Sequence, residues 1–198
     1  MTVVTHLYDT YDDARRAMND LTAAGVAASD ISVVANNANN KITTTDGTVD
    51  PNSPAAQSNA GTGTEVGATV GGIAGLLAGL GIMAIPGIGP VVAAGWLAST
   101  ALGAVVGGAA GGIIGALTQA GVPEADAHVY AEGLRRGGSL LTVRVDDAEA
   151  SRIESILSKS SVNINDRRDD YRADGWNKFD EQANKDAIRK ARETTPMI

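Results

Sequence analysis

Residues 79–95 read GLGIMAIPGIGPVVAAG, with five glycines, two prolines and no charge. They lie inside residues 66–123, a run of 58 positions without a formal charge, bracketed by Glu65 and Glu124. Glycine and proline mark turns exposed to water. An uninterrupted apolar run marks the inside of a protein or of a membrane. The reading of this stretch therefore decides the fold.

Taken as helices, the flanks of IPGIGP (85–90) are VGATVGGIAGLLAGLGIMA before it and VVAAGWLASTALGAVVGGAAGGIIGAL after it. Their lengths would be about 28 Å and about 40 Å, against roughly 30 Å for a bilayer core. Glycines recur every fourth residue, which keeps them near one helical face. The expected packing residues are Gly67, Gly71, Gly75 and Gly79 in the first segment and Gly103, Gly107, Gly111 and Gly115 in the second, with Gly63, Gly95 and Ser99 extending the two ladders. Glycine costs about 1 kcal/mol against alanine in a water-exposed helix, so a compensating environment is needed. Close backbone approach between membrane helices supplies one. The expectation is a glycine-zipper hairpin whose turn uses Pro86, Gly87, Gly89 and Pro90. Pro86 ends the first helix, the two glycines supply unusual dihedrals, and Pro90 starts the second helix. Burial inside a soluble assembly is the alternative setting.

On either side lie pieces of one fold. TVVTHLYD (2–9) alternates as a strand, and DDARRAMNDLTAAG has Ala14, Ala17, Met18 and Leu21 at helical spacing. Thr10 and Asp13 fit a capping box, and Gly25 fits a helix stop. DISVVAN (30–36) reads as a strand, and PEADAHVYAEGLRRG (123–137) as a helix facing inward through Ala127, Tyr130, Ala131 and Leu134. SLLTVRV (139–145) follows as a strand, residues 146–160 as a helix with Ile153, Ile156 and Leu157 inward, and SVNIND (161–166) as a last strand. TAAGVAASDISVVA (22–35) and TQAGVPEADAHVYA (118–131) share seven of 14 residues, yet Pro123 and Glu124 start a helix only in the second. The expected class is α+β: a ferredoxin-like split βαβ sandwich, with two helices on one face, interrupted by a long glycine-rich two-helix hairpin. The divisions are 1–35 (first half), 36–65 (flexible linker), 66–120 (hairpin), 121–166 (connecting helix and second half) and 167–198 (charged tail). If both halves share one sheet, residues 36 and 138 lie on the same side of any membrane, so the chain crosses it an even number of times.

The combination GIMAIPGIGPVVAAGWLAS, GALTQAGVPEADAHVYAEGLRRGGSLLTVRV and YRADGWNKFDEQ resembles the bacterial heat-induced general stress protein family. The match covers most of residues 1–145 and the DGWNKFD element at 174–180. The resemblance implies a stress-induced bacterial protein with a ferredoxin-like first half and a glycine-rich insert. It implies no catalytic residues.

The residues themselves give no sign of catalysis. A net charge of −7 and a pI near 4.7 argue against nucleic acid as a partner. The absence of cysteine removes disulfides and thiolate chemistry. His6 and His128 lack metal-ligand spacing, Ser139 is in no nucleophile elbow, and Gly79, Gly81 and Ala84 match GxGxxA without a preceding strand. Acids at 9, 12 and 13 and at 146, 147 and 149 read as helix-start charges. Arg135 and Arg136 sit at a helix end, which suits the dipole or, alternatively, lipid headgroups. In the tail, Ala183, Ala187, Ile188 and Ala191 suggest a surface helix over 181–193, with Trp176 and Phe179 as anchors on a neighbouring subunit or headgroup layer. The N-terminus lacks a secretion signal, so a cytoplasmic start is expected. The expected protein is non-enzymatic, needs no cofactor, and is tethered to the inner membrane with lipid and further copies of itself as partners. A soluble, cytoplasmic homo-oligomer with buried hairpins is the alternative. A small-ligand sensor and a lipid-disrupting hairpin are further ones.

Overall fold

The computed structural model describes residues 1–38, 81–85, 87–98, 100 and 112–180. The chain begins with β1 (Thr2–Tyr8) and α1 (Tyr11–Ala23), then a short 3-10 turn and β2 (Ile31–Asn36). Next come β3 (Gly81–Ile85), β4 (Gly89–Ala94), α2 (Gly112–Gln119), α3 (Glu124–Arg135), β5 (Ser139–Val145), α4 (Ala150–Leu157) and α5 (Ile164–Ala173). The fold is mixed α+β around a five-stranded sheet of order β1-β5-β2-β4-β3, with every neighbouring pair antiparallel.

The opening stretch is a β-hairpin, not the turn between two helices that its glycine spacing suggests. Ile85 pairs with Gly89, and Gly81 with Ala93. The Ile88 N–H closes the turn on the Ile85 carbonyl at 3.0 Å, and Gly87 and Gly89 take φ of 82° and 101°. A turn closed three residues on, with positive φ at its third position, requires glycine there. Pro90 has no N–H to give, and it stands in β4 just before the ladder with β2, which covers Val91 to Ala94. Pro86 lies outside the described residues. The turn is apolar because Ile85 and Ile88 are buried in the protein's own core. A short apolar run bounded by turn signals reads equally as strand or buried helix. Here Val91 and Val92, both 0% exposed, point to opposite faces of the sheet and decide it.

Of the expected helix-packing residues, Gly67, Gly71, Gly75, Gly79, Gly103, Gly107 and Gly111 lie outside the described residues, and Gly115 falls in the eight-residue α2. Among the described residues, no helix is long and apolar enough to cross a membrane. This overturns the expected transmembrane helices, whose facing ends at 81–85 and 91–94 are strands.

Helices cover both faces of the sheet. α1 and α4 share one face, as their spacing predicts: Ala14, Met18, Leu21, Ile153 and Leu157 pack on Val4, Ile31, Val33, Leu141 and Val143. On the other face, α2 and α3 place Ile113, Leu117, Ala127, Ala131 and Leu134 over Leu7, Val34, Val91 and Leu140. With both faces covered, β2 and β5 are buried along nearly their whole length. The α1 cap forms as its sequence implies, with the Asp13 N–H donating to Thr10 Oγ1 at 3.1 Å, and Gly25 stops the helix at φ 89°.

The strand expected at 161–166 is absent. Its one backbone hydrogen bond to β1 among the described residues is from the Val162 N–H to the Leu7 carbonyl, at 2.8 Å. Asn163 then caps α5 by accepting from the Asn165 and Asp166 amides, and this local cap outcompetes the short alternating pattern. The start of the expected tail belongs to the core. Phe179 is buried on the α2–α3 face, and Trp176 packs beside it with its ring edge-on to Tyr171. Residues 181–193, where a surface helix is expected, lie outside the described residues.

Candidate functional site

Losing the fourth strand leaves β1 at the edge of the sheet. The Thr5 carbonyl accepts the Tyr130 hydroxyl at 2.9 Å, and the Leu7 carbonyl accepts the Val162 amide. Both therefore face away from β5. Outward and inward groups alternate by residue along an antiparallel strand, so the N–H and C=O of Val3 and the N–H of Thr5 also point outward. They open on a cleft of about 400 Å3 lined by Thr2, Val3, Val4 and Thr5. One wall is the turn of Gly121, Val122 and Pro123, continued by Asp126 and Tyr130 of α3; the other is Ala150, Ser151 and Glu154 of α4.

The charged groups of this cleft have partners. Asp126 pairs with Arg168 of α5. Glu154 Oε1 lies 3.0 Å from His6 Nε2. Burial, with the Asp126 charge adding to it, pushes the Tyr130 phenol well above the ordinary tyrosine value, so it stays a donor to Thr5.

His6 is the centre of a second cluster, since its Nδ1 faces Ser161 Oγ at 2.8 Å. With the proton on Nε2, the ring donates to Glu154 and accepts from Ser161. Serine, imidazole and carboxylate in series evoke a hydrolytic triad. The amide beside Ser161, where an oxyanion donor would be sought, is committed to the Leu7 carbonyl. The cluster instead fastens β1, α4 and the segment leading into α5.

Arg135 and Arg136 both bind Glu132. Glu132, its side chain 2% exposed, accepts from Arg135 Nε at 2.8 Å and Arg136 Nε at 2.7 Å, with a further contact from Arg135. Arg136 also donates to Asp174 at 2.8 Å and stacks over Tyr171 at 4.3 Å. Burial works against the Glu132 charge, but the Arg135 and Arg136 hydrogen bonds outweigh it and hold the carboxyl below its ordinary value. The motifs AEGLRRGG and YRADGW thus meet in one network joining α3 to α5.

Among the described residues, no group of three His, Asp or Glu side chains is placed to hold a metal ion. Among the described residues, His128 pairs with Glu124, at 3.7 Å. The β1 edge and the His6 contacts escaped the sequence reading because their partners lie more than 120 residues away. The Glu132 clamp did not need to, since spacings of three and four on a helix are a local signal. The chain matches no family model, no curated protein and no solved structure.

Proposed function

We propose that this is a non-enzymatic, self-associating bacterial stress protein built on a ferredoxin-like split βαβ core. Two observations support the core. β1 and β2 run parallel with β5 antiparallel between them, and α1 and α4 share one face. In this reading a β-hairpin extends the sheet on the β2 side, and α5 takes the place of the outer strand. The stress role rests on the resemblance of the IPGIGP, AEGLRRGG and DGWNKFD elements.

The observation that carries self-association is the β1 edge. Unpaired backbone donors and acceptors along an edge strand are a template for another chain. Proteins that stay monomeric commonly blunt such edges with lysine, proline or a bulge. Residues 2–5, TVVT, carry no such device.

Sedimentation velocity of the intact chain across micromolar concentrations tests the reading. A species larger than 20.1 kDa that grows with concentration is expected. A monomer throughout would overturn it.

A further inference from the structure

We propose that the occupant of the β1 edge is the β1 edge of a second copy, paired antiparallel about a two-fold axis at Val3. This rests on the self-association reading and names its surface and register.

The register follows from which backbone groups are free. Of the outward carbonyls, that of Thr5 holds the Tyr130 hydroxyl and that of Leu7 holds the Val162 amide. Among the described residues, Val3 is the outward residue of the strand whose N–H and C=O both lack a hydrogen-bond partner outside the β5 ladder. An antiparallel pair centred on Val3 sets each copy's Val3 N–H against the other's Val3 C=O, and each Thr5 N–H against the carbonyl of residue 1. The Val3 and Thr5 donors then each meet an acceptor, the self-complementarity a two-fold interface demands. Centring the pair on Thr5 or Leu7 would displace the Tyr130 or Val162 contact.

The walls permit the approach. A two-fold axis normal to the sheet sets α3 beside α3 and α4 beside α4. The cleft residues there include Gly121, Ala150 and Ser151, which project little. Of the nearest acids, Asp126 is paired with Arg168 and Glu154 accepts from the His6 ring, both within one copy. The β1 residues themselves bear no acid or base except His6.

Two single substitutions in the full-length chain test this. Val3→Pro removes an outward N–H, leaving the donors to β5 in place, and proline is compatible with an edge strand. The expected result is at least a tenfold weaker self-association by sedimentation velocity. Val3→Cys introduces the molecule's sole thiol. Paired residues stand about 5.5 Å apart at Cα, within disulfide reach. Oxidised glutathione should therefore convert Val3→Cys to a covalent dimer, whereas Asn19→Cys on the exposed side of α1, away from the cleft, should not be converted. If the unmodified chain assembles but Val3→Pro assembles equally well and Val3→Cys does not cross-link, the β1 edge is the wrong surface and self-association stands. If the unmodified chain is a monomer, both fall.

Discussion

Replacing Gly95 by alanine tests the hairpin reading by the sign of the result. In a helix, alanine is more favourable than glycine by about 1 kcal/mol, and a small-residue packing face accepts either. In the observed fold, Gly95 closes β4 at φ 91° and lies against the start of β2. A Cβ there would stand 2.3 Å from the Ile31 carbonyl oxygen and 2.7 Å from Ser32 Cα. Both are backbone atoms of a strand held on two sides, so neither can swing away as a side-chain tip can. The left-handed conformation costs a Cβ-bearing residue about 1–2 kcal/mol. Overpacking against a fixed neighbour costs about 1–3 kcal/mol more. The expected destabilisation is about 3 kcal/mol. For a chain of this length that is a fall of roughly 6–12 °C in Tm. Thermal and urea melts followed by circular dichroism measure it. A Gly95→Ala chain as stable as the parent, or more so, would refute the strand assignment and restore the helical one.

Two further outcomes are expected. Glu132→Gln should cost about 2 kcal/mol at pH 7, below the 3–5 kcal/mol for breaking a fully buried pair, because Arg135 and Arg136 are 38% and 34% exposed and Arg136 keeps Asp174. Since the Glu132 carboxyl is held below its unfolded value of about 4.3, its stabilisation is complete above that pH and fades as pH falls through the folded value; urea melts that show an undiminished cost at pH 3 would contradict the clamp. Asn163→Ala should remove about 1 kcal/mol and loosen α5 first, seen as faster amide exchange over residues 164–173, and uniform exchange across the domain would contradict a local cap.

Where local rules and tertiary packing agree, the sequence was easy to read. Ala14, Ala17, Met18 and Leu21 lie at helical spacing and are all buried, and Ser139 to Val145 form the strand their β-branched residues favour. The reading failed where two local signals compete. Glycine every fourth residue suits a helix face and put Gly95 in a ladder, but its φ of 91° is a turn requirement, and spacing alone does not separate the two. SVNIND alternates like a strand, and the Asn163 cap overrides the alternation. The β1 edge was hidden for a different reason. A strand is an edge only by virtue of what fails to pair beside it, and here that depended on residues 161–166.

The sheet order also sets a timetable for making the protein. β5 is the middle neighbour of both β1 and β2, yet it begins more than 100 residues after β2 ends. At ordinary synthesis rates that interval lasts roughly 5–20 s. Throughout it the first strand waits for β5, its sheet partner among the described residues. Contacts this distant in sequence also form slowly once the chain is complete. The nascent chain therefore passes through a long interval in which TVVTHLY is bare and adhesive, and a cell under heat would meet that hazard at its worst.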